Sequence, residues 1–313
     1  MMDNDLQLIR KPLINRIICN KYLYLLFLPA LVYYIFFTYV PMYGVILAFK
    51  EFDYSKGIFG SPWASMNGFK HFYDLVTDTD FMKAFLNTIV ISFGRLLFEF
   101  PIPIILSLLI NEVRSSKYKR LVQTVFTLPH FLSWVVAMGV VFNLLSDAGV
   151  VNEVLSVFGL DKIHLLTQAS SFRGLLYATS NWKEAGWGTI IYLAAISGVN
   201  TELYEAAIVD GAKRIHLLRY ITLPAIASVI GVMLILQISS MMNAGFDQIF
   251  NMYNAAVYDK ADIIDTFIYR RTFVGGADFA SSTAIGLFKS LINFILLLTA
   301  NTFVKKSTGK GIY

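Results

Sequence analysis

A hydrocarbon layer of about 30 Å demands about 20 consecutive apolar residues of any helix that crosses it, and this sequence meets that demand repeatedly. Its apolar residues are gathered into long blocks and not spread as stripes. Inside lipid a segment must satisfy its own backbone N–H and C=O groups, so such blocks fold as helices. The expected fold class is an all-α, polytopic integral membrane protein. Of the 313 residues, 56% are hydrophobic and 15% charged, whereas a soluble domain carries about 25% charge, which excludes a soluble globule. Aromatic residues at 15% exclude a disordered chain, which lacks the apolar area to pack.

About six spans are expected, at residues 22–49, 84–110, 121–145, 175–197, 223–243 and 283–304. Pro41, Pro101 and Pro103 fall inside them; each removes a backbone donor and should kink its helix. The fourth span is the least apolar, with Lys183 and Glu184 near its start. Orientation follows from Lys and Arg. Segments 1–21, 111–120, 199–222 and the tail from Lys305 hold about 14 of them, against about 9 in the longer outer loops, more than a twofold difference in density. Both termini are therefore expected in the cytoplasm. The implied division is a cytoplasmic segment 1–21, a transmembrane domain 22–304 and a cytoplasmic tail 305–313. The first block outruns a signal-peptide core of about 7–15 residues and no small-residue cleavage site follows it, so it is expected to remain as the first span. The outer loops carry Trp63, Phe69, Phe72, Tyr73, Tyr253 and Tyr258. They are too long for simple connections, and a lid, a docking face and packed interfacial loops all remain open.

The net charge of +5 is read as a basic cytoplasmic side, not as a nucleic-acid surface. Cys19 is the one cysteine, so neither an intrachain disulfide nor a cysteine-based metal site can form. The sequence holds no G-x-x-x-x-G-K-[ST] phosphate loop, no His-Glu-x-x-His and no Gly-x-Ser-x-Gly. No ATP chemistry and no cofactor of its own is expected of the chain.

One inside segment is unlike a connector. Residues 200–224 read as two short helices with a hinge. Asn200 or Thr201 can cap the first. Glu202 and Glu205 follow, where the helix dipole favours anions. Gly211 suits a helix end or a sharp bend. Lys213, Arg214 and Arg219 make the second element basic, and Pro224 opens the fifth span, where a missing N–H costs little. Ala206 and Ala207 leave a low-relief surface beside Glu205 that can dock into a groove of another protein. The alternative, a helix lying on the membrane, is disfavoured by its acidic face.

Glu205-Ala206-Ala207, three residues, Gly211, nine residues and then Ile221-x-Leu223-Pro224, with Asp210 and Ala212 beside the glycine, resembles the EAA loop of binding-protein-dependent ABC importer permeases. Length, six spans and the position of the loop resemble the carbohydrate-uptake branch that includes the maltose permease subunits. Trp182-Lys183-Glu184-Ala185-Gly186-Trp187, Ile191-Tyr192-Leu193-Ala194-Ala195 and the closing Gly311-Ile312-Tyr313 are most similar to permeases for complex oligosaccharides or polysaccharide fragments. The resemblance implies a sugar importer subunit in a bacterial plasma membrane. Its implied partners are a second homologous permease, two ATPase subunits that carry the ATP and Mg, and an extracytoplasmic solute-binding protein. It implies that Glu202, Glu205, Ala206, Ala207, Asp210, Gly211, Ile221, Leu223 and Pro224 form the coupling site. A bulky residue at Gly211 should then uncouple hydrolysis from transport.

Ionisable residues within spans are expensive and face the protein interior. Arg95 and Glu99 are four apart, on one helix face, and can form a structural ion pair. His130 follows Leu128-Pro129 and reads as a packed helix-start residue. The substrate-contacting face of the maltose-type relative lies about 20 residues before the EAA glutamate, which implies Ser180, Glu184 and Trp187 here; Trp182 and Trp187 can equally be interface anchors. The end of the fifth span, Asn243, Phe246 and Asp247, is the other implied substrate region. The rivals are an ABC permease for a non-sugar solute, an ion-coupled secondary transporter, for which the paired broken helices of internal repeats are not seen, and a membrane enzyme.

Overall fold

The computed structural model describes residues 13–308. Residues 1–12 and 309–313, which include Gly311-Ile312-Tyr313 and parts of the segments expected at 1–21 and 305–313, lie outside the described residues. Among the described residues all regular structure is helical, apart from one isolated antiparallel bridge between Lys50 and Trp63. The chain divides into two compact units, residues 1–71 and 72–313.

In the first unit a short helix, Leu13–Cys19, precedes α1, Lys21–Phe49. Helix α1 is α-helical to Tyr34, π-helical over Ile35–Tyr39 and 3-10 over Val40–Phe49. Pro41 sits in the first turn of the last stretch. The helical type changes from π to 3-10 at the proline where a kink is expected. None of the apolar window of α1 is buried, which suits a helix facing lipid or another subunit. Residues 50–71 then fold around Lys50. Its buried ammonium donates to the carbonyls of Ile58 at 3.0 Å and Phe59 at 2.8 Å. Lys70 pairs with Glu51 at 2.6 Å and holds the Glu51 carboxyl below the usual range. Trp63 and Phe69 remain exposed.

The second unit opens with α2, Thr79–Phe98, whose N-cap Asp78 accepts from the N–H of Asp80 and Phe81, and α3, Pro101–Asn111. The helix is interrupted at Glu99-Phe100, just before Pro101 and Pro103, although both residues keep right-handed helical torsions; the missing proline N–H weakens the backbone ladder there.

The span expected at 121–145 is not one helix. It comprises α4, Ser116–Thr127, a 3-10 turn, Leu128–Phe131, and α5, Trp134–Leu145. Pro129 opens the turn, and the Ser133 side chain caps α5 by accepting from the Val136 N–H at 3.2 Å. Helix α6, Val150–Val157, follows.

The fourth span is longer than expected: α7 covers Ala169–Ser197, 29 residues, or about 43 Å at 1.5 Å per residue. Among the described residues five helices are long and apolar enough to cross a membrane, Lys21–Phe49, Thr79–Asn111, Trp134–Val157, Arg214–Ser239 and Phe279–Lys306, and α7 is not one of them. The reason is that α7 faces protein, and buries Thr179, Ser180, Lys183 and Thr189. It packs against α2, α3 and α4. A Cβ at Gly186 would lie 2.0 Å from the Phe126 carbonyl oxygen, so α7 and α4 meet backbone to backbone.

Helix α8, Thr201–Val209, leads to α9, Arg214–Ser239, which packs against α12, Phe279–Thr308. The fifth span ends at Ser239, not 243. A 3-10 turn, Met241–Asn243, and the left-handed residues Ala244 and Gly245 then redirect the chain into α10, Phe246–Met252. Helix α11, Ile264–Tyr269, continues as a π turn, Arg270–Val274.

Candidate translocation path and coupling surface

In the last turn of α2 a guanidinium is fixed from every side. Arg95 meets Glu99 at 3.0 Å and Ser180 Oγ at 3.0 Å, donates through Nε to the Ala244 carbonyl at 3.1 Å, and reaches Gln248 Oε1. Gln248 in turn donates to the Leu176 carbonyl at 2.8 Å and to Thr179 Oγ1 at 2.7 Å. The expected pair of Arg95 and Glu99 is thus the centre of a network that joins α2, α7 and α10. Gly245 is required here: its φ is +75°, and a Cβ would stand 2.4 Å from Arg95 Nη2. A charge buried in a membrane protein is tolerated when it is paired in this way.

One turn further along α7 lies a second cluster. Lys183, buried, donates to the His130 carbonyl at 3.0 Å and to Glu184 Oε1 at 2.8 Å, and stands over the Trp134 ring at 5.0 Å. His130 Nδ1 lies 2.6 Å from Glu184 Oε2. Its ring stacks on Trp187 with centroids 4.5 Å apart and planes 5° apart.

These clusters border two cavities. One of 420 Å³ is lined by Arg95, Glu99, Trp134, Ser180, Glu184 and Asn243, among others. The other, of 210 Å³, is lined by Glu99, Ser180, Asn181, Glu184 and Trp187, among others. Glu99, Ser180, Glu184 and Gln237 belong to both, so the cavities meet along one polar seam. The structure therefore brings together Ser180, Glu184, Trp187 and Asn243. Phe246 and Asp247 do not line either cavity: they follow the left-handed bend at Ala244-Gly245, the Phe246 ring packs tilted against Phe250 with centroids 5.2 Å apart, and Asp247 is exposed. Gln237, outside the residues singled out from the sequence, lines both cavities, and Gln248 supports Arg95 from behind. A lone amide in an apolar run was the available signal.

Around the N-terminal end of α2 a third cavity, of 670 Å³, is lined by Asp78, Asp80, Lys83, Asn87, Asp262, Arg270, Arg271 and Asp278, among others. Arg270 holds Asp262 through two contacts of 2.6 Å, and Arg271 bridges Asp78 at 3.2 Å and Asp278 at 3.1 Å. Burial works against ionisation of the Asp278 carboxyl, but the Ser281 N–H and hydroxyl and the Arg271 guanidinium outweigh it and hold the group below the usual range.

The predicted coupling segment forms around α8. The Asn200 side chain accepts from the Glu202 N–H at 3.0 Å. At the other end Ala212 N–H donates to the Ala207 carbonyl at 2.9 Å and Gly211 N–H to that of Ile208 at 3.0 Å, with Gly211 at φ +81°. This is a Schellman cap, and it explains the glycine by conformation, since nothing lies within 4 Å of a Cβ there. Glu202, Glu205, Ala206 and Asp210 are exposed and Ala207 half-buried. Leu203, Ile208 and Val209 expose 53%, 59% and 87% of their surface, unusual for aliphatic residues on so short a helix. Tyr204 meets Thr222 at 2.9 Å and ties α8 to α9. The second element is not a separate helix. It runs from Arg214 into α9 through a π turn, Leu218–Thr222, in which the Leu223 N–H reaches the Leu218 carbonyl. Ile221 lies in that turn, and Leu223 and Pro224 follow it. The wider turn places Pro224 within a continuous helix without a clash.

Residues 99–307 match the family described as binding-protein-dependent transport system inner membrane component. The chain belongs to this family. The match begins at Glu99 and takes in the whole of α7, α8 and α9. The chain is 44% identical over 305 residues, 97% of its length and 94% of the relative's, to the polygalacturonan/rhamnogalacturonan transport system permease protein YteP of Bacillus subtilis (strain 168). It is 43% identical over 295 residues, 94% of its length and 92% of the relative's, to protein LplB of the same organism. In a crystal structure of a bacterial alginate ABC transporter in complex with an alginate pentasaccharide-bound periplasmic protein, one chain is 39% identical. It superimposes with a TM-score of 0.87, covering 96% of this chain and 100% of that one. As a member of this inner membrane component family with several apolar helices, the chain is a multi-pass membrane protein.

Proposed function

We propose that this chain is the membrane-spanning permease subunit of a binding-protein-dependent ABC importer, and that it moves an oligosaccharide across a bacterial plasma membrane by alternating access. The reading is carried by the polar seam of Glu99, Ser180, Glu184 and Gln237, with Trp187 beside it, inside a helix bundle. Carboxylates and amides meet sugar hydroxyls, and an indole meets the apolar face of a sugar ring. Two relatives named for transporting polygalacturonan/rhamnogalacturonan and alginate support fragments of such polysaccharides as cargo.

Glu202, Glu205, Ala206, Ala207, Asp210 and Gly211 form the docking surface for a separate ATPase subunit, with Ile221, Leu223 and Pro224 fixing its attachment to α9. ATP and Mg reside on two such ATPase subunits, and a second homologous permease completes the membrane part. An extracytoplasmic binding protein delivers the cargo from the side opposite α8, and both termini face the cytoplasm. Support for this topology comes from the Lys and Arg distribution and from the exposed, capped geometry of α8. In reconstituted vesicles, uptake of a labelled galacturonate trisaccharide should require both the ATPase subunits and loaded binding protein. Uptake by the chain without any ATPase would contradict the reading.

A further inference from the structure

The mechanism above uses Glu184 and Trp187, and it leaves His130 without a task. His130 lies outside α7, in the 3-10 turn between α4 and α5. Sequence reading makes it a helix-start residue. Its ring nevertheless makes two contacts at once with the path. The edge bearing Nδ1 reaches the Glu184 carboxylate at 2.6 Å, and the face lies flat on the Trp187 indole at 4.5 Å. A carboxylate can only accept, so Nδ1 carries the proton and donates. The ring is itself held. Its own carbonyl accepts from buried Lys183, which also donates to the other Glu184 oxygen at 2.8 Å. Phe131 and Trp187 meet edge to face at 6.0 Å. Both oxygens of Glu184 are thus engaged by two cations or donors anchored on different elements, while its side chain keeps 39% exposure and lines both cavities.

We propose that His130 is a positioning residue of the translocation path, its one ring fixing the Glu184 carboxylate and the Trp187 indole in a single arrangement that presents a hydrogen-bond acceptor and an aromatic platform to a passing saccharide. This rests on the reading of the seam as the path. A free Glu side chain would have to be ordered by each cargo molecule, and its lost rotamer freedom would count against the encounter; a side chain ordered in advance escapes that cost. The arrangement also leaves both contacts weak enough for release. Glu184 already has its charge offset by Lys183, and the stack on one indole face is satisfied by His130. The cargo gains hydroxyl contacts and ring contact without meeting an unpaired charge.

Because the two contacts use different parts of the ring, they can be removed separately. H130F keeps a flat ring against Trp187 and loses the donor. H130N keeps an amide donor near the Nδ1 position and loses the ring. The experiment is uptake of a labelled galacturonate trisaccharide at saturating loaded binding protein, per inserted complex, in vesicles holding the full transporter. E184Q and W187A establish the path. H130F and H130N and the doubles H130F/E184Q and H130N/W187A establish the positioning. The expected result is a fall of about tenfold in maximal rate for E184Q, W187A and H130F and of about threefold for H130N, with each double no slower than its E184Q or W187A parent. Wild-type rates for H130F and H130N beside slow E184Q and W187A would overturn the positioning role and leave the path standing. Multiplying effects in both doubles would make His130 a structural residue only and equally overturn it. Wild-type rates for both E184Q and W187A would remove the path reading itself, and this proposal with it.

Discussion

The seam between α2 and α7 and the surface of α8 both carry glutamates, and they treat them in opposite ways. In the seam, Glu99 is held by Arg95 and Ser180, and Glu184 by Lys183 and His130. On α8, Glu202 and Glu205 are exposed beside aliphatic side chains that are also exposed. The seam is complete within the chain; α8 presents groups that another protein can use. Charge in the seam is therefore a matter of stability, whereas the exposed charge on α8 contributes little to it.

The comparison breaks most visibly at Arg95. R95M strands Glu99 in the bundle, and losing one partner of a buried pair costs about 3–5 kcal/mol. The purified complex should show a large drop in thermal midpoint, and an unchanged midpoint would mean that the seam is open to water. G186A comes next. The added methyl meets the Phe126 carbonyl at 2.0 Å, a backbone atom that cannot swing aside, and overpacking of this kind costs about 1–3 kcal/mol. G94A is its control, since there the clash is with the Tyr177 hydroxyl, the far end of a side chain. G211V should cost about 1–2 kcal/mol, the strain of a left-handed backbone on a residue with a Cβ, confined to α8 and legible as faster hydrogen exchange at Ala207 to Ala212.

The smallest effect is at Asp278. Its folded-state carboxyl titrates below the ordinary aspartate value, so its clamp on Arg271 contributes fully above about pH 4 and is lost as pH falls through the lowered value. Thermal midpoints measured across that range should fall less steeply for D278N than for wild type.

How much was legible in the sequence follows the same division. Helix α8 was readable because its signals are local: Asn200 caps through its own side chain, and Gly211 marks the left-handed end. The long apolar blocks gave the membrane spans for the same reason. What escaped depends on contacts far along the chain. Nothing near His130 announces Glu184, 54 residues on. The burial of Lys183 is set by the His130 carbonyl and the Trp134 ring, and with it the fact that α7 is an inner helix although it fails on hydropathy. Phe246 and Asp247 stand apart from the seam after the bend at Ala244-Gly245, where Gly245 lies close against Arg95 from a distant helix. The break at residues 128–133 was within reach, since Pro129 and Ser133 are ordinary start signals, but the apolar run around them hid it.

We propose that α8 passes the work of a separate ATPase to the seam. The most direct measurement is stimulation of ATP hydrolysis by loaded binding protein in vesicles containing the whole transporter, for wild type and for a Glu205→Ala, Gly211→Asp double variant. Strong stimulation of wild type, with its loss in a variant that still inserts, is the result predicted. Equal stimulation of both would contradict the account.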